Sequence, residues 1–129
     1  MQGDNLRPLT LETILEMDSM DLARTIFEQY AIEVPPYIET VDQMNVAQSI
    51  ISSSISNYAY LDNMAQMLKI KKREMKRNKE DKQVIDETLS KEELFVAAAE
   101  HCKMAYQATS RLITLRSLIL EELHMSDSY

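Results

Sequence analysis

Residues 44–68, MNVAQSIISSSISNYAYLDNMAQML, decide the fold. Within them Met44, Ala47, Ile51, Ser54, Tyr58, Leu61, Ala65 and Leu68 recur in alternating three- and four-residue steps. A strand repeats every two residues and cannot keep that pattern on one face, whereas a helix aligns it as a stripe. Sustained over heptad after heptad, the stripe is the seam of a helix packed along its length against another helix. Small residues are frequent on and beside it (Ala47, Ser52, Ser53, Ser54, Ala59, Ala65), so the partner can approach closely.

That partner lies downstream. Leu94, Ala98, Ala105, Ala108, Leu112, Leu115 and Ile119 follow helical spacing, and Phe95, Cys102, Tyr106, Ile113 and Leu123 widen the stripe. A stripe broader than a two-stranded seam predicts contact with more than one neighbour. Ser90-Lys91-Glu92-Glu93 has the S-x-x-E pattern of a capping box and predicts a helix start after a polar break at about residues 78–89. Two long helices joined by a polar turn make an antiparallel hairpin.

Upstream, residues 1–9 read as a loose leader. Thr10 is placed to cap a short helix through Met17, and Ser19 a second one through about Tyr30, with Leu22, Ile26, Phe27 and Tyr30 on one face. Pro35-Pro36 ends this region and leaves Val34 to Ile38 as an extended connector. The chain thus divides into residues 1–39, short helices and a Pro-Pro connector, and residues 40–129, a helical hairpin with a basic elbow at 69–82. The expected architecture is all-α: a long antiparallel hairpin whose N-terminal helices fold over it or reach to another subunit. Assembly into a homo-oligomeric bundle is expected through the seam residues Ile51, Tyr58, Leu61, Leu68, Leu112, Leu115 and Ile119.

Composition excludes several classes. The 129 residues suit one domain. With 45% apolar and 27% charged residues the chain is globular in class. One glycine and three prolines leave too few turn residues for a sandwich or barrel, and no glycine-rich phosphate loop is possible. A single cysteine, Cys102, excludes an intramolecular disulfide and a cysteine-based zinc site. No signal-peptide pattern or membrane-length apolar run occurs, so the expectation is a soluble cytoplasmic chain without a membrane role.

The formal net charge of −7 conceals a strong asymmetry. Residues 1–68 hold two basic and ten acidic side chains, residues 69–82 eight basic and three acidic, and residues 83–129 four basic and eight acidic. Seven of the fourteen basic residues fall between Lys69 and Lys79. At the helical repeat, Lys69, Lys72, Arg73, Lys76, Arg77 and Lys79 share an arc of roughly 160°, with Lys71 and Lys82 on the far side. The apolar seam points into that arc and stops at Leu68, so the helix is expected to leave the core there and project its charged end into solvent. A solvated helix end near a favourable dipole is the plain reading of such a run. The functional reading is contact with a phosphate backbone, since six cations on one arc displace several counterions at once. No aromatic interleaves Lys69 to Lys79, so such contact would be backbone-directed and indifferent to base sequence.

Catalytic and metal chemistry find little support. Glu121 and His124 form one Glu-x-x-His pair, but the only other histidine, His101, has no glutamate three residues before it, so a di-iron bundle lacks its second half. His101 and Cys102 are adjacent on a helix and point about 100° apart, which prevents a nucleophile pair. The methionines read as seam filler, and Tyr58 and Tyr106 as packing residues with hydroxyls at the margin. No catalytic residue, metal or cofactor is expected, and no enzymatic activity.

The order of features resembles the UvsY family of recombination mediators of T-even phages. The resemblance rests on a helical stretch ending in Asn57-Tyr58-Ala59-Tyr60-Leu61, then Lys69-Ile70-Lys71-Lys72-Arg73-Glu74-Met75, then a polar turn and a long last helix. In that helix His101-Cys102-Lys103-Met104-Ala105 and Ser110-Arg111-Leu112-Ile113 are similar to the family pattern. The resemblance covers about residues 40–124. It implies a homo-oligomeric ring that binds single-stranded DNA and contacts a recombinase and a single-strand-binding protein, with Lys69, Lys72, Arg73 and Lys76 as DNA contacts. A phage protein of this kind would act in the host cytoplasm. The competing expectation is an acidic helical protein-interaction module of a phage, for virion assembly, host takeover or inhibition of host defence. In that case the acidic residues 1–68 would face a basic partner and no nucleic acid would be bound.

Overall fold

The computed structural model describes residues 9–127, with side chains through His124, and is helical throughout, with no strand among the described residues. Four helices follow in order: α1 (Leu11–Glu16), α2 (Ser19–Tyr30), α3 (Val41–Arg77) and α4 (Lys82–Asp127). Of the leader expected over residues 1–9, all but Leu9 lies outside the described residues, and Leu9 is buried.

The α3–α4 hairpin is the frame. On α3 the residues Ala47, Ser54, Leu61, Leu68 and Met75 are buried at intervals of seven, and on α4 Thr88, Phe95, Cys102 and Thr109 are buried at the same interval. A seven-residue repeat keeps one seam facing its partner as the two helices run antiparallel. Large side chains fill its middle (Leu61, Leu68, Phe95), and small ones its distal half (Ala47, Ser54, Cys102, Thr109).

The structure corrects three expectations here. The seam does not stop at Leu68: it continues to Met75, whose sulfur receives the Thr88 hydroxyl at 3.4 Å. The helix start expected at Ser90 is also wrong, because α4 begins eight residues earlier, at Lys82. Asp81 caps it, its carboxylate accepting from the Gln83 N–H at 3.4 Å, and Ser90 sits inside the helix with its hydroxyl donated to the Asp86 carbonyl. Nothing between 82 and 89 breaks a helix; Ile85 is half-buried, and Thr88 is buried against Met75 of α3. Thirdly, the α4 seam centres on Phe95, Cys102 and Thr109, while Leu94 and Ala98 turn to α2 on the flank.

A four-residue turn therefore suffices between the long helices. The Glu80 N–H donates to the Met75 carbonyl at 3.0 Å and the Lys79 N–H to the Lys76 carbonyl at 3.1 Å, a Schellman closure with Lys79 at φ 56°.

The N-terminal helices pack on their own hairpin. Thr10 caps α1 as expected, while Asp18, one residue before the expected Ser19, caps α2. The buried Lys91 ammonium donates to the carbonyls of Ile14 and Leu15, both at 3.0 Å, and so satisfies the last carbonyls of a helix too short to stand alone. Tyr30 stacks on Tyr60 with centroids 5.6 Å apart, and the Tyr60 hydroxyl donates to the Leu9 carbonyl. Burial pushes the pKa of both phenols above the ordinary tyrosine value, so they remain neutral donors. Along the connector the Ile32 N–H donates to His101 Nε2 at 3.1 Å and Arg116 donates to the Glu39 carbonyl at 3.2 Å. A Thr40–Gln43 capping box then opens α3.

Two hydroxyls in the distal half of the seam, those of Ser54 and Thr109, are buried without a hydrogen-bond partner. A buried unsatisfied hydroxyl costs roughly 1–3 kcal/mol. Thr109→Val keeps the shape and removes the cost, and is expected to stabilise the fold by about 1 kcal/mol, seen as a higher urea midpoint at unchanged slope. A lower midpoint would mean that the hydroxyl has a partner.

Candidate nucleic-acid interface

The hairpin turn gathers the basic residues at one end of the molecule. Lys69, Arg73 and Lys76 follow one another on α3 at four- and three-residue steps and form a stripe roughly 10 Å long. Arg77 closes the helix, Lys79 sits in the turn, and Lys82 opens α4. All six side chains are exposed, and among the described residues none of them pairs with a carboxylate. Two of the other cations are engaged: Lys71 lies 3.8 Å from Glu74 on the same helix, and Lys91 serves α1.

Lys72 differs from its neighbours. The helical repeat predicts it on the outward arc, but its ammonium meets the Glu92 carboxylate across the hairpin at 2.8 Å, with both side chains about 15% exposed. The reason lies in the continuing seam. Lys72 occupies the position four residues after Leu68 and therefore points toward α4, which runs alongside because it starts at Lys82. It is a strut of the hairpin rather than a free cation, and the solvent-facing set is Lys69, Arg73, Lys76, Arg77, Lys79 and Lys82.

The basic stripe shares a flank of α3 with Ile55 and Tyr58, opposite the flank where Tyr60 and Met64 meet the N-terminal segment. On that uncovered flank a hollow of about 280 Å³ lies between the helices, lined by Ser54, Ile55, Tyr58, Cys102, Lys103 and Tyr106. Tyr58 and Tyr106 line it, each 38% exposed. The sequence signal for this hollow was the coincidence of two small seam residues, Ser54 and Cys102, on facing helices. Burial raises the Cys102 thiol, which therefore stays protonated.

Of the remaining seam residues, Leu61 and Leu68 are consumed within the hairpin, Ile51 and Leu112 are half-buried, and Leu115 and Ile119 are exposed. Glu121 and His124 lie on the exposed end of α4, and no group of three or more potential metal ligands converges among the described residues. No helix among them is long and apolar enough to cross a membrane. Comparison with protein-family models, with curated proteins and with solved structures gives no match.

The pairing of Lys72 separates structural from available charge. Lys72→Met leaves the largely buried Glu92 without its partner and is expected to destabilise the fold by roughly 1–3 kcal/mol. Lys69→Met, on the exposed stripe, should fall within about 0.5 kcal/mol of the parent. Equal urea midpoints for the two variants would contradict this division.

Proposed function

We propose that the protein is a non-enzymatic recombination mediator that binds single-stranded DNA through its basic hairpin end and helps to load a recombinase. The observation that carries the reading is the cluster of six exposed cations without carboxylate partners among the described residues, Lys69, Arg73, Lys76, Arg77, Lys79 and Lys82, at the turn of an otherwise acidic chain. Six free cations at one end attract a phosphate backbone and release its counterions without reading the bases. The acidic remainder repels the strand elsewhere and so restricts contact to this end. The resemblance to the UvsY family supports the same assignment and supplies the recombinase and the single-strand-binding protein as partners. In a homo-oligomer each subunit adds one basic end, so a strand engages several ends at once and avidity compensates for a small individual contact.

A second reading, an acidic protein-interaction module, is favoured by the outer face of α2. Met20 and Phe27 are 70% and 73% exposed there, seven residues apart, with Asp21 and Glu28 beside them. An apolar pair rimmed by acids suits a basic partner.

Anisotropy of a labelled single-stranded oligonucleotide across a salt series separates the two readings. The mediator reading expects the salt slope to fall by about 0.7 for each phosphate no longer neutralised, hence by about 3 when Lys69, Arg73, Lys76 and Lys79 are all changed to alanine. Met20→Asp with Phe27→Asp should leave DNA affinity intact. Absence of binding at low salt would remove the mediator reading and leave the protein-interaction module.

A further inference from the structure

The repeat of the seam places the two tyrosines of the hollow. Lys72 and Glu92 meet across the hairpin at 2.8 Å. One heptad further from the turn the equivalent positions hold the buried Ala65 and Ala99, and a second heptad further they hold Tyr58 and Tyr106. The seven-residue period therefore sets Tyr58 opposite Tyr106, on the flank that α1 and α2 leave open. The two rings do not stack on each other, the stacked pair among the described residues being Tyr30 with Tyr60. Space stays open between the helices there because the seam residues Ser54 and Cys102 are small.

We propose that this hollow receives one unstacked base of the single strand held at the hairpin end, an inference that rests on the DNA contact proposed for that end. Four features select a base. The two partly exposed tyrosines offer π-faces on which any base stacks. An apolar cavity of about 150 Å³ accepts benzene, so a hollow of about 280 Å³ has room for a purine. Ser54, one of the lining residues, is fully buried with its hydroxyl unpartnered, and the edge of a base carries donors and acceptors for it. Lys103 also lines the hollow, is exposed and pairs with no carboxylate among the described residues, so it is available to the phosphate of that nucleotide.

A path leads there from the basic end. Lys69 follows Tyr58 by eleven residues, about 20° around α3 and roughly 16 Å along it, which about five nucleotides span at the stacked rise of 3.4 Å. Asp62, half-buried, is the one carboxylate of α3 between them and repels phosphate from that edge. The strand therefore crosses over the uncharged Ala65 and Ala99 toward Lys103 on α4. An aliphatic side chain of a protein partner would suit the apolar lining, but it would leave the Ser54 hydroxyl unpaired and Lys103 unused.

Anisotropy of a labelled single-stranded oligonucleotide with the full chain tests the inference. Changing Tyr58 and Tyr106 together to leucine should weaken binding at least about fivefold while the salt slope stays that of the parent. Changing both to phenylalanine keeps the rings and should hold affinity within about twofold. Tyr37→Leu, at an exposed tyrosine of the connector, should bind as the parent does. An abasic strand of the same length should not distinguish the leucine variant from the parent, which separates loss of stacking from loss of fold. A strand carrying 5-iodouracil should cross-link under ultraviolet light to Tyr58 or Tyr106. Parent-like affinity of the leucine variant, or an equal loss on the abasic strand, would overturn this inference and leave the basic end as the DNA contact. A parent that binds no strand at low salt would overturn both.

Discussion

The seven-residue seam between α3 and α4 is the constraint on which the rest of the structure depends. It runs from Ala47 to Met75 on one helix and from Thr88 to Thr109 on the other. Because it continues past Leu68, the two helices stay together up to a four-residue turn, and the basic residues end as a compact cap instead of a free arm. The same seam sets the orientation of every other face. One flank is covered by α1 and α2, the opposite flank is left with the Tyr58–Tyr106 hollow, and the end of α4 extends beyond the start of α3.

Three charged groups turned inward support this frame, each for a specific reason. Lys91 is buried yet satisfied, because two carbonyls at the end of α1 and the nearby Glu87 carboxylate at 4.0 Å receive its ammonium. A cation at a helix C-terminus also meets the negative end of the dipole. Lys72 and Glu92 pair where α3 and α4 face each other, and the short distance compensates for the water they lose. Such contacts set the register between helices whose apolar residues are small and forgiving, since the neighbouring apolar positions tolerate sliding better than a fixed ion pair does. The exposed cations at the turn are those for which the fold offers no acceptor.

The hairpin was legible because its periodic signal is long: Leu61, Ala65 and Leu68 could lie together only on a helix. The Thr10 cap and the non-helical Pro-Pro connector were equally local and equally readable. The start of α4 was not. Ser90 carries a genuine capping pattern, and the burial of Thr88 against Met75 of α3 favours the helix upstream of it. At the basic end the residue types and their clustering were visible, whereas the division between available and engaged charge was not. Lys69 and Lys72 are chemically identical, and the difference between them is whether a carboxylate on another helix stands within reach.

By itself, then, the sequence determined what depends on near neighbours: four helices, the approximate extents of the first three, a hairpin, and an elbow of uncompensated positive charge. Periodicity, capping and turn chemistry act over a few residues and are written in order along the chain. Only the tertiary structure decided which stripe of α4 faces α3, which lysines are spent inside the molecule, where α1 and α2 rest, and which leucines at the end of α4 remain uncovered. Those outcomes depend on side chains far apart in sequence, such as Ile14 with Lys91 and Lys72 with Glu92, competing for the same limited contact surface. No local pattern records who meets whom across the seam, because that choice is made by the packing of both helices at once.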